Sequence, residues 1–355
     1  MSASFIGALV AAVLYLYTAA LPAPSPDPVG PPGMPPPGYV LLGTGGSDVT
    51  PADFDELTGA RHKLHLVTAN WNERRPGGWE WALVDRFDEG LRGNYRLMVH
   101  VGPATPTGAE GRSPGAVARG DGDFYLLDLG RIVNWSNQYI YIRPPGEMNG
   151  SWSPWSAFDA DGSPRDADHA ALQYRRAFIR IAEIVRGGSV AAINARLRAQ
   201  SMPPLQTDDE RLPSSGRVAL VWNPQAQGSP NIAGNQPLDY YPGAQWVDYV
   251  GNDLYSQRGR AAWAQNEAFY ARYSATHPFM MAEWAPWAID DPAFVRRMFD
   301  WVRRHPRTVA LIYFNGTGND MFHLATKPAS LAVYRARAGA MTKCSHLTAY
   351  SHRCD

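Results

Sequence analysis

YIYIRPPGEMNGSWSPW, residues 139–155, runs from an alternating apolar stretch into an arginine, two prolines, a glutamate and a tryptophan-bearing loop. Tyr139–Arg143 reads as a buried strand, because aromatic and β-branched side chains suit a packed, pleated surface. Pro144 and Pro145 cannot donate to a ladder, so pairing stops there and Glu147 follows the strand end. HPFMMAEWAPW, residues 277–287, repeats the arrangement, with an apolar strand Phe279–Glu283 ending in a carboxylate beside Trp284.

From Gly38 onward, short β-rich runs alternate with longer amphipathic ones, the pattern of parallel βα units. Predicted strands are Tyr39–Leu42, Leu64–Ala69, Tyr95–Val101, Tyr139–Arg143, Val218–Trp222, Trp246–Asn252, Phe279–Glu283 and Thr308–Phe314. Predicted helices are Ala52–Thr58, Glu80–Leu91, Phe124–Asn134, Ala170–Arg186, Ala261–Ala275, Ala293–Arg304 and Ser330–Arg337, with Gln225–Tyr241 mostly loop after the fifth strand. Residues 187–216 read as an insertion that either rims a cleft or makes a surface excursion. Eight such strands predict an α/β fold, a closed (β/α)8 TIM barrel occupying residues 39–340 as a single domain.

Barrel chemistry gathers at the C-terminal ends of strands. A glutamate placed there among aromatics loses solvation, which raises its pKa and lets it hold a proton near neutral pH. That suits Glu147 as a general acid, the other reading being a surface glutamate paired with Arg143. The fourth and seventh strands face each other across a barrel mouth, so Glu147 and Glu283 can act as the carboxylate pair of a glycosidase. Trp152, Trp155 and Trp284 are candidates to stack on sugar rings, or else core at the barrel mouth.

These motifs resemble family-26 glycoside hydrolases, the β-mannanase-like family of the retaining barrel clan, over roughly residues 40–337. The family's fourth-strand pattern, R-P-x-H-E-M-N-G-x-W-x-W, reads here RPPGEMNGSWSPW from Arg143 to Trp155 and includes Asn149. The resemblance implies that Glu147 is the acid/base and Glu283 the nucleophile, with no cofactor and no metal. The sixth-strand match, Tyr241 through Tyr255, implies that Tyr255 orients Glu283. Trp222 and Phe314 fall where the family presents its fifth and eighth strands to the sugar. The chain departs from the pattern at Gly146, where the family has histidine; His100, at the end of the third strand, is a candidate to supply the missing hydrogen bond, or is a core or rim histidine. The implied activity is retaining, endo-acting hydrolysis of a β-linked polysaccharide, β-mannan or a related β-glycan. A non-hydrolytic polysaccharide-binding barrel of a cell-envelope or exopolysaccharide system is the other class.

The rest of the chain constrains partners and location. Formal net charge is zero and no basic tract occurs, which argues against nucleic acid as a partner. Residues 1–21 contain an apolar, uncharged stretch over 5–21, read as a signal peptide or signal anchor, with a buried N-terminal helix as the alternative. Residues 22–38 read as an extended Pro-rich linker. Together they predict a secreted protein, or an extracytoplasmic one anchored to the membrane through its N-terminal segment, acting as a monomer on a polysaccharide. Cys344 and Cys354, in the tail 341–355, are expected to form a disulfide outside the cytoplasm.

Other signals are set aside. Gly111–Gly115 matches G-x-S-x-G, but no strand precedes it and Pro114 is read as blocking a helix start, so it is taken as loop. Gly43–Gly46 lacks the spacing of a dinucleotide loop, and His62 and His65 lack the spacing of a zinc site. The sequons at Asn134, Asn149 and Asn315 are treated as incidental.

Overall fold

The structure, a computed structural model, describes residues 30–46, 49–71, 79–105 and 109–341. The expected leader, residues 22–29 of the expected linker and both cysteines lie outside the described residues. Eight parallel strands close into a barrel: β1 Leu41–Gly45, β2 Leu64–Ala69, β3 Arg96–Val101, β4 Ile140–Arg143, β5 Val218–Trp222, β6 Tyr249–Gln257, β7 Phe279–Trp287 and β8 Thr308–Phe314. Each pairs with its neighbours in sequence, and β1 pairs with β8 from Leu41↔Ala310 to Gly45↔Phe314, which removes both sheet edges. The fold is the expected (β/α)8 barrel.

Around it lie α1 Pro51–Thr58, α2 Trp79–Gly93, α3 Pro114–Arg119, α4 Asp123–Trp135, α5 Ala171–Arg186, α6 Val190–Ala199, α7 Trp263–Tyr273, α8 Pro292–Arg304 and α9 Pro328–Ala338. Helix α8 shows why these segments are helical. The Asp291 side chain caps the Phe294 amide, Pro292 occupies the first turn, and Phe294, Val295, Met298, Phe299, Trp301 and Val302 form one buried stripe. Strand alternation sorts the two cores. On β4, Ile140 and Ile142 face the helices while Tyr141 faces the barrel interior, where it packs with Met98, Tyr249 and Met280.

Three expectations need correction. Pro114 does not block a helix; Ser113 accepts from the Ala116 amide and Pro114 opens α3, because a first-turn proline lacks only an amide that had no partner anyway. The sixth strand begins at Tyr249 rather than Trp246, since residues 244–246 form a 3-10 turn after Gly243, whose φ is 114°. The proline-rich segment is not all linker. From residue 30 it folds under the barrel, where the Gly33 carbonyl accepts from Arg96 (2.7 Å) and the Tyr141 hydroxyl (2.5 Å). Tyr249 donates to the Pro32 carbonyl at 2.9 Å, and Met34 packs on the interior core. Composition missed this because the segment contributes mainly backbone carbonyls, which any residue carries.

The insertion is the surface excursion of the two readings. It contains α6 and a two-residue antiparallel ladder, Gly188–Ser189 with Arg211–Leu212. Buried Arg180 of α5 forks onto Asp123 (2.6 and 2.5 Å) and reaches the Pro203 and Pro204 carbonyls, clamping the insertion to the outer helices α4 and α5.

The floor segment should carry stability. A chain lacking residues 1–38 is expected to melt several degrees below one lacking only 1–29, because each buried donor stripped of its carbonyl costs ~1–3 kcal/mol. Equal midpoints in paired thermal melts would show that the floor contacts contribute nothing.

Candidate active site

The barrel mouth holds three carboxylates around one cation. Alternation along β4 turns Arg143 inward, where its side chain is 2% exposed. One guanidinium nitrogen binds Asp253 at 2.8 Å and another binds Glu283. On β6 the same alternation turns both Asp253 and Tyr255 inward, and the Tyr255 hydroxyl donates to Glu283 Oε2 at 2.6 Å. Asn223, the residue after β5, donates to Asp253 at 2.9 Å.

Glu283 reaches this group because β7 breaks its own alternation. Met280 faces the interior and Met281 the helices, so a regular strand would send residue 283 outward. The register with β6 passes from Asn252↔Met281 to Asp253↔Glu283, and that with β8 from Leu311↔Met281 to Tyr313↔Trp284. One extra residue on β7 produces both shifts. This bulge swings Glu283 into the mouth and Trp284 out to the helices.

Glu147 is held differently. Its backbone is left-handed (φ 53°), its amide donates to the Asn223 carbonyl at 2.8 Å, and its carbonyl accepts from the Gly150 amide at 2.8 Å. A non-glycine residue in this region is strained by ~1 kcal/mol or more and persists only where its surroundings fix it. The side chain accepts from Trp152 Nε1 at 2.6 Å and from Gln225 Nε2. Asn149 supports that contact, since its amide pairs with both backbone groups of Gln225, at 2.9 and 2.8 Å.

The electrostatics follow from three acids sharing one base. Burial raises the Glu147 pKa above the usual carboxylate range, the charge of Glu283 raises it further, and the donors around it only partly offset this. Burial and the other two carboxylates push Asp253 well up, against the pull of Arg143. For Arg143 burial works against the charge, yet Asp253 and Glu283 outweigh it and push its pKa up. Burial and the same carboxylates raise Tyr255, which keeps it a neutral donor to Glu283. Burial, with Arg143 beside it, lowers His100 to about 3, so its ring is neutral in ordinary buffers. Its Nδ1 has no partner among the described residues.

Of the residues singled out from sequence, Arg143, Glu147, Tyr255 and Glu283 converge, with Trp152 58% exposed on the rim. Phe314 stands half-buried beside Tyr255, their ring centroids 6.4 Å apart. Asn149 is fully buried and positions Gln225 rather than opening to a ligand. Three tryptophans do not present faces to the cleft. Trp222 is packed against Tyr241, Phe269 and Tyr273; Trp284 against Phe299, Tyr313 and Tyr334; and buried Trp155 donates to the Arg112 carbonyl at 2.7 Å. Trp222 and Trp284 sit at outward positions of their strands, so their rings serve the core between barrel and helices. Aromatic faces near Tyr255 come instead from Trp287 and Phe322, at 5.6 and 5.1 Å between centroids. Asp253, Asn223 and Gln225 were not singled out; Asp253 was findable, two residues before Tyr255 on the same strand face, whereas Gln225 sits in a loop with no periodicity to read. Among the described residues no cluster of His, Cys, Asp and Glu is disposed to hold a metal ion.

The class of structure is a closed (β/α)8 barrel with one carboxylate just past β4 and another at the bulge of β7. The model of glycosyl hydrolase family 26 matches residues 220–316, the stretch from β5 through β8 that carries Asp253, Tyr255 and Glu283. The match covers about a quarter of the chain and marks a similarity to that family over its C-terminal half-barrel. It is 22% identical over 312 residues to Endoglucanase H of Acetivibrio thermocellus, covering 84% of this chain and 30% of that protein, so it spans about a third of that relative's length. The Bacillus subtilis mannanase man26 superposes with a TM-score of 0.55 at 16% identity, over 85% of this chain and 86% of that one. The catalytic domain of a Bacillus sp. family-26 endo-β-1,4-mannanase does so with 0.58 at 14%, over 89% and 91%. At these identities the superpositions speak to the fold.

The raised Glu147 pKa has a consequence for stability. A carboxyl whose pKa is higher folded than unfolded takes up protons on folding, so its contribution falls as pH rises from the unfolded value, ~4.3, toward the folded one. Glu147→Gln should therefore gain stability over the parent as pH goes from 4 to 8. Denaturant midpoints of both proteins across that range test this; a difference that does not change with pH would contradict it.

Proposed function

We propose that the protein is a retaining, endo-acting glycoside hydrolase that cuts a β-linked polysaccharide by double displacement. The observation that carries this reading is the unequal treatment of two carboxylates at one barrel mouth. Glu283 is bound by a cationic guanidinium and a phenol, both of which stabilise its charged form. Glu147 is pushed toward its protonated form by burial and by the charge of Glu283. An acid pushed toward its protonated form, set beside a carboxylate held by a cation and a phenol, supplies a proton donor and a nucleophile.

In the first half-reaction a Glu283 oxygen attacks the anomeric carbon while the Glu147 proton passes to the departing glycosidic oxygen, leaving a glycosyl ester on Glu283. In the second, Glu147 takes a proton from water, whose oxygen displaces the ester and regenerates both carboxyl states. Arg143 and Tyr255 hold Glu283 in line and balance the charge that returns to it. The partial match to the family-26 model and the endoglucanase and mannanase names of similar proteins support a β-glycan substrate.

Hydrolysis of soluble mannans, β-glucans and xylans by protein lacking residues 1–29 tests the reading. Because Gly146 stands where the family has histidine, unbranched β-mannan should be cut less efficiently than another β-linked polymer. Glu283→Ala should abolish all turnover. Glu147→Ala should lose ~10²–10⁴-fold on polymers but keep the first step on an activated aryl glycoside, with azide restoring turnover and yielding a β-azide. An inverted product, or equal losses on both substrate types, would overturn the role assignment. Binding of a polymer with no release of reducing ends would favour the non-hydrolytic alternative.

The reading extends to location. Export, through the apolar stretch within residues 1–21, would place Cys344 and Cys354 in an oxidising compartment as a structural disulfide. Alkylation and mass measurement of protein recovered outside the cell should find no free thiol; two free thiols there would refute it.

A further inference from the structure

Both oxygens of Glu147 accept hydrogen bonds, and the two donors differ in one respect that matters. The Gln225 amide can turn over, offering either a donor NH₂ or an acceptor carbonyl. The Trp152 indole nitrogen can only donate. With its N–H 2.6 Å from Oε2, the indole hydrogen occupies one lone pair of that oxygen and favours its charged form. A protonated Glu147 can keep Gln225 as partner after an amide turn. The indole contact, by contrast, weakens when Glu147 is protonated, because a charged carboxylate accepts more strongly than a neutral carboxyl.

The surroundings let the indole move and hold the rest still. Trp152 is 58% exposed, whereas Asn149 is fully buried and fixes Gln225 through two backbone contacts. Gly150 makes the close approach feasible, because a Cβ there would lie 2.5 Å from the indole ring. Arg143, Asp253 and Glu283, which act on Glu147, are tied to one another and to Tyr255 in a buried group, with His100 paired beside Arg143 on β3. The exposed indole is therefore the more accessible of the two donors to a ligand entering from solvent.

We infer that Trp152 is a displaceable cap on the acid: in the empty cleft its indole N–H favours the carboxylate form of Glu147, and a sugar occupying the leaving-group side lifts the indole and lets Glu147 hold its proton to higher pH. The inference rests on the proposed acid role of Glu147, and it makes Trp152 and Gln225 positioning residues that set when the acid is loaded. The donors' effect on Glu147 agrees in sign, since the indole hydrogen bond pulls its pKa down while burial and Glu283 push it up.

Intrinsic fluorescence of the protein lacking residues 1–29, titrated from pH 4 to 9, tests the cap without any substrate. The parent should show a step that is absent from both Trp152→Phe and Glu147→Gln, each checked for native circular dichroism. A step that survives in Trp152→Phe, or no step in the parent, would overturn the inference. The second arm uses whichever polymer the hydrolysis screen identifies. Trp152→Phe keeps the ring and removes the donor, so the free enzyme's acid should titrate higher and the alkaline limb of kcat/KM should move to higher pH by several tenths of a unit or more. Gln225→Leu, which also removes a donor, should move it the same way. A limb that stays put in Trp152→Phe while kcat/KM falls would show a packing role only and refute the cap. If no polymer is cut, the hydrolase reading fails, while the fluorescence titration still decides whether the indole caps Glu147.

Discussion

The mouth of this barrel depends on one buried guanidinium. Arg143 faces Asp253 on one side and Glu283 on the other, and its charge is what allows so many carboxyls to share so small a volume. Removing one member of a buried charged group costs ~3–5 kcal/mol, because the others are left desolvated and unpaired. The arrangement still falls short of neutrality when Glu147 is counted with the other two. That shortfall appears as the raised pKa values of Glu147 and Asp253. The electrostatic tension that would make Glu147 an acid is thus the same tension that opposes the stability of the folded mouth, a common feature of functional sites.

Geometry that regular secondary structure would not give is concentrated at the two glutamates. Glu283 needs an extra residue in β7 to face inward, and Glu147 needs a left-handed backbone held by the Asn223 carbonyl and the Gly150 amide. Arg143, Asp253 and Tyr255, by contrast, come into place through plain alternation on β4 and β6. The supporting residues sit on rigid strands, while the two groups proposed to react are placed by a bulge and a strained turn whose neighbours fix them.

This division explains how much could be read from the chain alone. The eight strands and the convergence of the fourth and seventh were legible, because βα rhythm and period-2 alternation are local properties. Residues whose role depends on facing direction were harder. Trp222 and Trp284 look like sugar platforms in a string of letters, yet each lies at an outward position, and for Trp284 only the unseen bulge decides the matter. Gln225 and Asn149 form their contact across a sequence separation of 76 residues, with no pattern in either segment to signal it. The floor segment was missed because carbonyl oxygens do the binding there, and the identity of the residue carrying them says little.

Gly146 ties the departure from the family pattern to the charge group. A Cβ at this position would lie 2.6 Å from a terminal nitrogen of Arg143, 2.8 Å from Nε and 3.0 Å from Cζ. With this backbone, therefore, a side chain at residue 146 would press on the guanidinium, and either the backbone or Arg143 would have to shift. A protein carrying histidine here alongside the same arginine must route residues 144–146 differently or turn the guanidinium away. The glycine is then more than a missing hydrogen-bonding group. It is the vacancy into which the guanidinium fits, so restoring histidine alone would disturb the placement of Glu283 before it could contribute any contact to a sugar.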